Sequence, residues 1–345
     1  MKGFQHVGDE RTALIRLTAL WALNEAGLGG LMHLFQSPFT GIFVGGGAVL
    51  LISLIGYISE RPMVAIPKAL LLVLIIKAMI SPHSPLTAYV AVAFQGLLGA
   101  FLFSVIPSFR VAALLLAVLA LLESAFQKLL VMTLLFGMPL WKSLDAFIDS
   151  VLQKFGMLSD GASVAGSQWV VGGYLGLYFA GGIFIGWLAG RLPAEVSAAA
   201  GRLLAPADPG TEPSGEPTGR PRKAFWKRPF FFWITGALLL LSGIYIFSPG
   251  ARQALEPLWL FVRVTGLIAI WYFVVGPFLM RMVQRFLKKK AAEYHEEVTA
   301  ALDLLPVFRQ LSRAAWQETR HLKGLPRGKE LTVRIITYAL LFSKK

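Results

Sequence analysis

Three polar side chains interrupt an apolar run that is long enough to cross a bilayer. The run is VLALLESAFQKLLVMTLLF, residues 118–136, and the polar residues are Glu123, Gln127 and Lys128. On a helix Glu123 and Gln127 share a face, whereas Lys128 is rotated from Glu123 by about 140°. A charged residue at the centre of a membrane helix costs about 2.5–3.5 kcal/mol on insertion scales. We therefore expect each side chain to meet a partner on another helix or on a ligand.

The composition predicts an integral membrane protein. Hydrophobic residues make up 56% of the 345 residues and charged residues 15%, whereas soluble domains carry about 25% charged residues. The net charge of +14 comes from lysines and arginines that cluster between the apolar runs. The positive-inside rule accounts for this placement, so we expect no nucleic-acid partner. The chain has no cysteine and no close pair of histidines, so we predict no metal site and no cofactor.

The apolar runs predict eight membrane spans of about 20 residues each. They lie near 13–35, 41–58, 63–80, 86–106, 110–137, 167–190, 229–248 and 258–280. The basic segments 191–228 and 281–345 should be cytoplasmic, and six spans before the first of them place residues 1–12 inside as well. We predict a multi-pass protein of the cytoplasmic (inner) membrane with both termini in the cytoplasm.

A polar segment divides the chain. Residues 205–223 are rich in proline, glycine, glutamate and threonine, and cannot bury an apolar face. We therefore predict a six-span substrate-capture domain (1–192), a cytoplasmic linker (193–228) and a two-span module with basic cytoplasmic helices (229–345). The predicted fold class is an all-α integral membrane protein, a six-helix bundle plus a two-helix membrane module with cytoplasmic amphipathic helices.

The polar residues of the first module gather towards the outer side of the membrane in this topology. The predicted solute-binding set is Asn24, Glu25, His33, Lys77, His83, Gln95, Glu123, Gln127 and Lys128. We interpret the set as a pocket for a small polar solute, which could be a zwitterion, a heterocycle or an anion. The alternative is hydrogen bonding between helices, with Glu123 paired to Lys77 and with Gln95 and Gln127 completing the network.

The outer connector carries an amphipathic helix. In WKSLDAFIDSVLQKF, residues 141–155, apolar side chains recur at helical spacing. Such a helix lies at the membrane surface, either as a lid over the pocket or as an anchor in the lipid interface.

Two features predict contacts with other proteins or with lipid. Ala22, Ala26 and Gly30 follow one another at four-residue spacing in the first span, and small residues let a second helix approach closely. In the basic tail an apolar stripe is flanked by arginines. The stripe contains Leu304, Phe308, Leu311 and Ala315, and the flanking residues include Arg309, Arg313 and Arg320. Such a helix lies on anionic lipid or docks onto a cytoplasmic partner.

The final LTVRIITYALLF (331–342) is too short to span, so we expect it at the interface or packed on protein.

Three short sequences resemble the substrate-binding component of energy-coupling-factor uptake systems for vitamins and metals. They are ALWALNEAG (19–27), PFTGIFVGGG (38–47) and VAFQGLLGA (92–100). The resemblance covers residues 10–192. It implies a six-helix capture protein whose site opens outward and whose first helix contacts a coupling membrane protein.

The second module resembles that coupling component in one motif. Pro326-Arg327-Gly328 is similar to its Ala-Arg-Gly signature, which adds Arg327 to the expected docking residues. The resemblance implies that ATP is hydrolysed by a separate cytoplasmic ABC-type ATPase, because this chain has no phosphate loop.

The leading prediction is therefore a non-enzymatic membrane subunit of an uptake transporter that binds a small, vitamin-like polar solute. Two alternatives stay open. One is a membrane scaffold whose basic tail recruits a partner. The other is a membrane enzyme that acts on lipid or isoprenoid, with Glu123 as its base.

Overall fold

The structure is a computed structural model, and it describes residues 9–29, 39–81, 84–159, 162–203 and 256–342. Across these ranges the regular elements are helices and none is a β-strand, which confirms the predicted all-α membrane class. Gly30, His33, His83, the polar segment 205–223 and the predicted span 229–248 lie outside the described residues.

The helices follow the sequence pattern closely. In the order α1 to α11 they are Glu10–Leu23, Gly46–Ile58, Pro62–Ile80, Leu86–Val105, Phe109–Phe136, Met138–Lys154, Gly166–Ala200, Glu256–Ile270, Gly276–Glu293, His295–Glu318 and Gly324–Leu341. Three π-helical segments adjoin them. Asn24–Leu28 continues α1, Gly41–Gly45 leads into α2, and Trp271–Val275 joins α8 to α9.

Six helical stretches are long and apolar enough to cross a membrane. They are Gly41–Ile58, Pro62–Ile80, Leu86–Val105, Phe109–Phe136, Gly166–Ala200 and Val264–Glu293. They match the predicted second to sixth spans and the eighth. The chain is therefore a multi-pass membrane protein.

The predicted first span is a helix, but it is not one of these six. Its described part carries Arg16, Asn24 and Glu25, which make it more polar than the other spans. Helix α1 packs against α2, α3, α10 and α11. Because its neighbours are protein helices, it tolerates polar residues that a lipid-facing helix would not.

The chain forms two compact units. The first comprises Met1–Lys128, Val170–Glu212 and Arg281–Lys345, and the second comprises Leu129–Trp169 and Pro213–Met280. The first unit thus contains α1 to α4 together with the two tail helices α10 and α11. Most of the predicted linker lies outside the described residues, so the domain boundary within 193–228 stays a prediction.

The apolar stripe of α10 packs on the chain's own helices. Its buried residues are Val298, Ala301, Leu305, Phe308, Leu311 and Ala315, and they recur every three or four positions. This spacing gives α10 one apolar face, which packs against α1, α3 and α11. That stripe is therefore covered by protein and not by lipid.

Polar contacts hold α10 and α11 at one end of the first unit. The Lys68 ammonium lies 2.9 Å from Glu297, and Lys329 lies 2.6 Å from Glu195 on α7. The guanidinium of Arg16 donates a hydrogen bond to the Leu340 carbonyl. Helix α11 also buries Val333, Ile336 and Tyr338, which confirms the expectation that the last apolar segment is packed on protein.

In the second unit α6 is tied to the start of α7. Asp145 accepts a hydrogen bond from the Ser167 N–H at 2.6 Å. Asp149 accepts one from the Val164 N–H and one from the Ser163 hydroxyl, and both hold the pKa of Asp149 below its usual range. The predicted amphipathic helix is therefore present, and its role as a lid or a surface anchor stays a prediction.

We expect Phe308→Ala to lower the free energy of unfolding by about 3–5 kcal/mol, because Phe308 is 1% exposed and its removal leaves a cavity. The matched control is Phe286→Ala on α9, where the side chain is 56% exposed and the loss should stay near 0.5 kcal/mol. Denaturant unfolding in detergent micelles measures both. Equal losses would contradict the described packing of α10.

Candidate functional site

The polar residues of the first unit meet at one end of its helices. Glu25, just after α1, contacts Lys77 near the end of α3, and Asn24 contacts the π-helical segment before α2. Gln127 of α5 contacts Thr87 at the start of α4. We call these residues, together with Gln95 and Glu123, the polar layer. The contacts of α10 and α11 lie at the opposite end, at the start of α1 and α3 and the end of α7, which we call the capped end.

A buried ion pair links α1 to α3 in the polar layer. Lys77 Nζ lies 2.7 Å from Glu25 Oε2, and the two side chains are 5% and 3% exposed. The predicted pairing of Lys77 with Glu123 is therefore wrong. Burying two charges is expensive, and direct contact between opposite charges offsets part of that cost. Lys77 also lies 6.0 Å from the centre of the Tyr89 ring.

Asn24 compensates for irregular backbone in the neighbouring segment. Its Nδ2 donates a hydrogen bond of 2.8 Å to the carbonyl of Val44, inside the π-helical segment Gly41–Gly45. A π turn pairs groups five residues apart, whereas an α turn pairs groups four residues apart. A carbonyl in a π turn can therefore be left without its usual backbone donor, and it then needs another one. The amide of Asn24 supplies it. Asn24 itself begins the other π-helical segment, so two irregular segments are joined at this point.

Two glycines admit polar side chains from other helices. A Cβ atom on Gly41 would lie 2.8 Å from Ser124 Cβ and 3.1 Å from a ring carbon of Tyr178. A Cβ atom on Gly45 would lie 3.1 Å from Gln95 Nε2. The segment Gly41–Gly45 can therefore contact α4, α5 and α7 closely only because Gly41 and Gly45 carry no Cβ atom. This is the physical reason for glycine in the sequence GIFVGGG.

Several buried polar atoms of these helices have no hydrogen-bond partner in the described structure. They are Trp21 Nε1, Gln95 Oε1, Glu123 Oε2 and the hydroxyl oxygens of Ser53, Tyr89 and Tyr174. Gln95 is only 3% exposed. Each unpaired buried group costs about 1–3 kcal/mol, so such atoms require an explanation.

The structure brings together most of the predicted solute-binding residues that it describes. Asn24, Glu25 and Lys77 contact one another or adjacent backbone, and Gln95 joins them through Gly45. Gln127 Nε2 donates to the Thr87 carbonyl at 3.3 Å, with Glu123 one turn before it. Lys128 is half-buried on a different face of α5.

The predicted docking residues fall into two groups. Ala22 and Ala26 are buried inside the first unit. Arg309, Arg313 and Arg320 are exposed on α10 or just after it, while the Arg327 guanidinium stacks over the Trp316 ring at 4.2 Å.

Sequence reasoning missed Ser124 and the tyrosines of the site. Tyr174 and Tyr178 lie one turn apart in a glycine-rich span, and their rings are in contact with centroids 4.9 Å apart and an interplanar angle of 54°. Two tyrosines on one helix face of such a span were the available signal, because a buried phenol usually needs a partner for its hydroxyl. Ser124 gave none, since serine is common in membrane helices.

Neither a metal centre nor a known relative identifies the site. Within the described ranges, no group of three or more His, Cys, Asp or Glu side chains could hold a metal ion. No protein-family model, curated protein or solved structure matches the chain. The site must therefore be interpreted from its own chemistry.

We expect Lys77→Met to lower the free energy of unfolding by about 3–5 kcal/mol, because it leaves Glu25 buried without its counter-charge. The control is the double variant Lys77→Met/Glu25→Leu, which removes both charges and should recover most of the loss. Equal losses in the single and double variants, measured by denaturant unfolding, would show that the pair is not coupled.

Proposed function

We propose that the protein is the solute-binding membrane subunit of an uptake transporter, and that its polar layer binds a small polar solute. The observation that supports this most directly is the pair of buried oxygens, Gln95 Oε1 and Glu123 Oε2, that have no partner among the described residues. A bound solute would supply the missing hydrogen bonds.

The polar layer contains two kinds of polar group. The Glu25–Lys77 pair and the hydrogen bonds from Asn24 and Gln127 to backbone carbonyls are satisfied, and they join helices to one another. Interhelical hydrogen bonding explains these groups completely. It does not explain Gln95 Oε1 and Glu123 Oε2. Ionisable groups inside a membrane protein usually mark a ligand or ion pathway when no protein partner is present.

The proposed orientation follows from the charges at the capped end. Helices α10 and α11 and the end of α9 are rich in lysine and arginine, so this end should face the cytoplasm. The polar layer then faces outward. We propose the inner membrane as the location, with both termini cytoplasmic.

We further propose that energy comes from a separate ABC-type ATPase in the cytoplasm, as in the energy-coupling-factor systems that the sequence resembles. Arg309, Arg313 and Arg320 are exposed, and none forms an ion pair within the described part of the chain. An acidic surface of such a partner would pair with them. The opposite face of α10 packs on α1 and α3, which lead to the polar layer.

Native mass spectrometry of the purified protein tests the solute site. We expect a non-covalent small-molecule adduct on the wild type. We expect it to be lost in Glu123→Gln and in Gln95→Met, because each variant removes one acceptor while it preserves side-chain size. Glu60→Gln, at an exposed position between α2 and α3, is the control and should keep the adduct. An adduct that survives both site variants would contradict the proposed site.

Co-purification from native membranes tests the ATPase partner. We expect the triple variant Arg309→Gln/Arg313→Gln/Arg320→Gln to lose the ATPase while it keeps the solute adduct. The control, Arg285→Gln/Lys288→Gln/Lys289→Gln, removes the same charge from exposed positions on α9 and should retain the ATPase.

The same variants distinguish the transporter from the scaffold. A scaffold would lose its function in the triple variant and would tolerate Glu123→Gln. Deletion of the whole tail is not a clean experiment, because it would uncover the apolar surface on which α10 packs.

A further inference from the structure

We propose that the C-terminal half of α9 binds the headgroups of anionic phospholipids. This surface shares no residue with the polar layer or with α10, so the proposal goes beyond the proposed function and does not depend on it. We call it the α9 surface, and its residues are Arg281, Met282, Arg285, Phe286, Lys288 and Lys289.

The α9 surface lies at the end of a helical stretch that is longer than the hydrocarbon core of a membrane. Val264–Glu293 is 30 residues long and apolar enough to span, and a helix of that length rises about 45 Å. The hydrocarbon core is only about 30 Å thick. No charged residue occurs between positions 264 and 280. This apolar part therefore fills the core, and the helix from Arg281 onwards lies among the headgroups.

Apolar and cationic side chains share the exposed side of α9. Met282 and Phe286 lie one turn apart and are 58% and 56% exposed. Arg285 and Lys289 adjoin them on the helix, and both are exposed. Leu287 lies on the opposite side of the helix from these two cations and is 3% exposed. One side of the helix therefore contacts protein, and the other offers apolar groups to acyl chains and cations to headgroup phosphates.

The cations of the α9 surface have no counter-charge in the described part of the chain. None of the four forms an ion pair there, and residues 281–289 contain no Asp or Glu. The next lysine, Lys290, differs because it pairs with Glu293 at 2.6 Å. Phosphate oxygens would form charge-assisted hydrogen bonds with the unpaired cations. Such a cluster directly beyond a membrane span is typical of segments that bind anionic lipid.

The contrast with α10 favours lipid over a soluble partner for the α9 surface. Both helices carry exposed cations, but the apolar stripe of α10 is buried against α1, α3 and α11. On α9 the cations adjoin two exposed apolar side chains, Met282 and Phe286. A nucleic acid or a strongly acidic protein surface would pair with the cations and leave these apolar groups in water. Phospholipid covers both kinds of group.

Native mass spectrometry with defined lipids tests the proposal. The full-length protein is delipidated in detergent and titrated with phosphatidylglycerol, or with phosphatidylethanolamine that has the same acyl chains. We expect the wild type to prefer the anionic lipid. Arg285→Gln/Lys288→Gln/Lys289→Gln should lower this preference by roughly tenfold or more, because each cation near the phosphates contributes to binding.

The matched control is Arg309→Gln/Arg313→Gln/Arg320→Gln, which removes the same charge from α10 and should keep the wild-type preference. Equal losses in the two triple variants would overturn the proposal, because the preference would then follow net charge alone. An unchanged preference in the α9 variant would overturn it as well. If that variant instead lost a co-purified protein or nucleic acid, the α9 surface would bind that macromolecule and not lipid.

A competition experiment separates lipid from free phosphate. Glycerol phosphate carries the headgroup charge without acyl chains, so we expect it not to displace phosphatidylglycerol at equal concentration. Displacement would show a site for soluble phosphate and would contradict the proposed contact with the membrane. None of these outcomes bears on the solute site in the polar layer, so the two proposals stand or fall separately.

Discussion

The buried pair of Glu25 and Lys77 constrains the rest of the first unit. Two full charges, each at most 5% exposed, are tolerated at this depth only when they are in direct contact. This requirement fixes the end of α1 against the end of α3. It also places Asn24, the residue before Glu25, where its amide reaches the Val44 carbonyl. The irregular segment before α2 is thereby held in place, with Gln95 of α4 beside Gly45.

The sequence predicted most of the fold because membrane spans obey a simple length rule. Five helices of the first predicted module and one of the second match the expected apolar runs. It did not predict that α1 is enclosed by α2, α3, α10 and α11, because contacts between residues far apart in the chain leave no local pattern. The apolar stripe of α10 indicated a buried face correctly, but an amphipathic stripe does not state whether lipid, a partner or the same chain covers it.

The candidate site was predictable in its residue types and less so in its pairings. Asn24, Glu25, Lys77 and Gln95 stood out because polar residues are expensive inside a membrane. The choice of Glu25 and not Glu123 as the partner of Lys77 depends on how α1, α3 and α5 are oriented, and helical spacing within one segment does not contain this information. The two π-helical segments of the site were equally hidden, since helical spacing within one segment does not show where a turn takes an extra residue.

The hydrogen bond between Arg16 and the Leu340 carbonyl has a consequence for biosynthesis. The two residues are 324 positions apart, so the N-terminal helix emerges from the ribosome long before its last partner exists. At about 5–20 residues per second, synthesis of the intervening chain takes roughly 15–65 s. Throughout that interval one side of α1 is uncovered in the nascent protein. Membrane insertion of the early spans must therefore be followed by a late docking step, and a translation-arrested chain that stops before α10 would be a natural target for quality-control proteases.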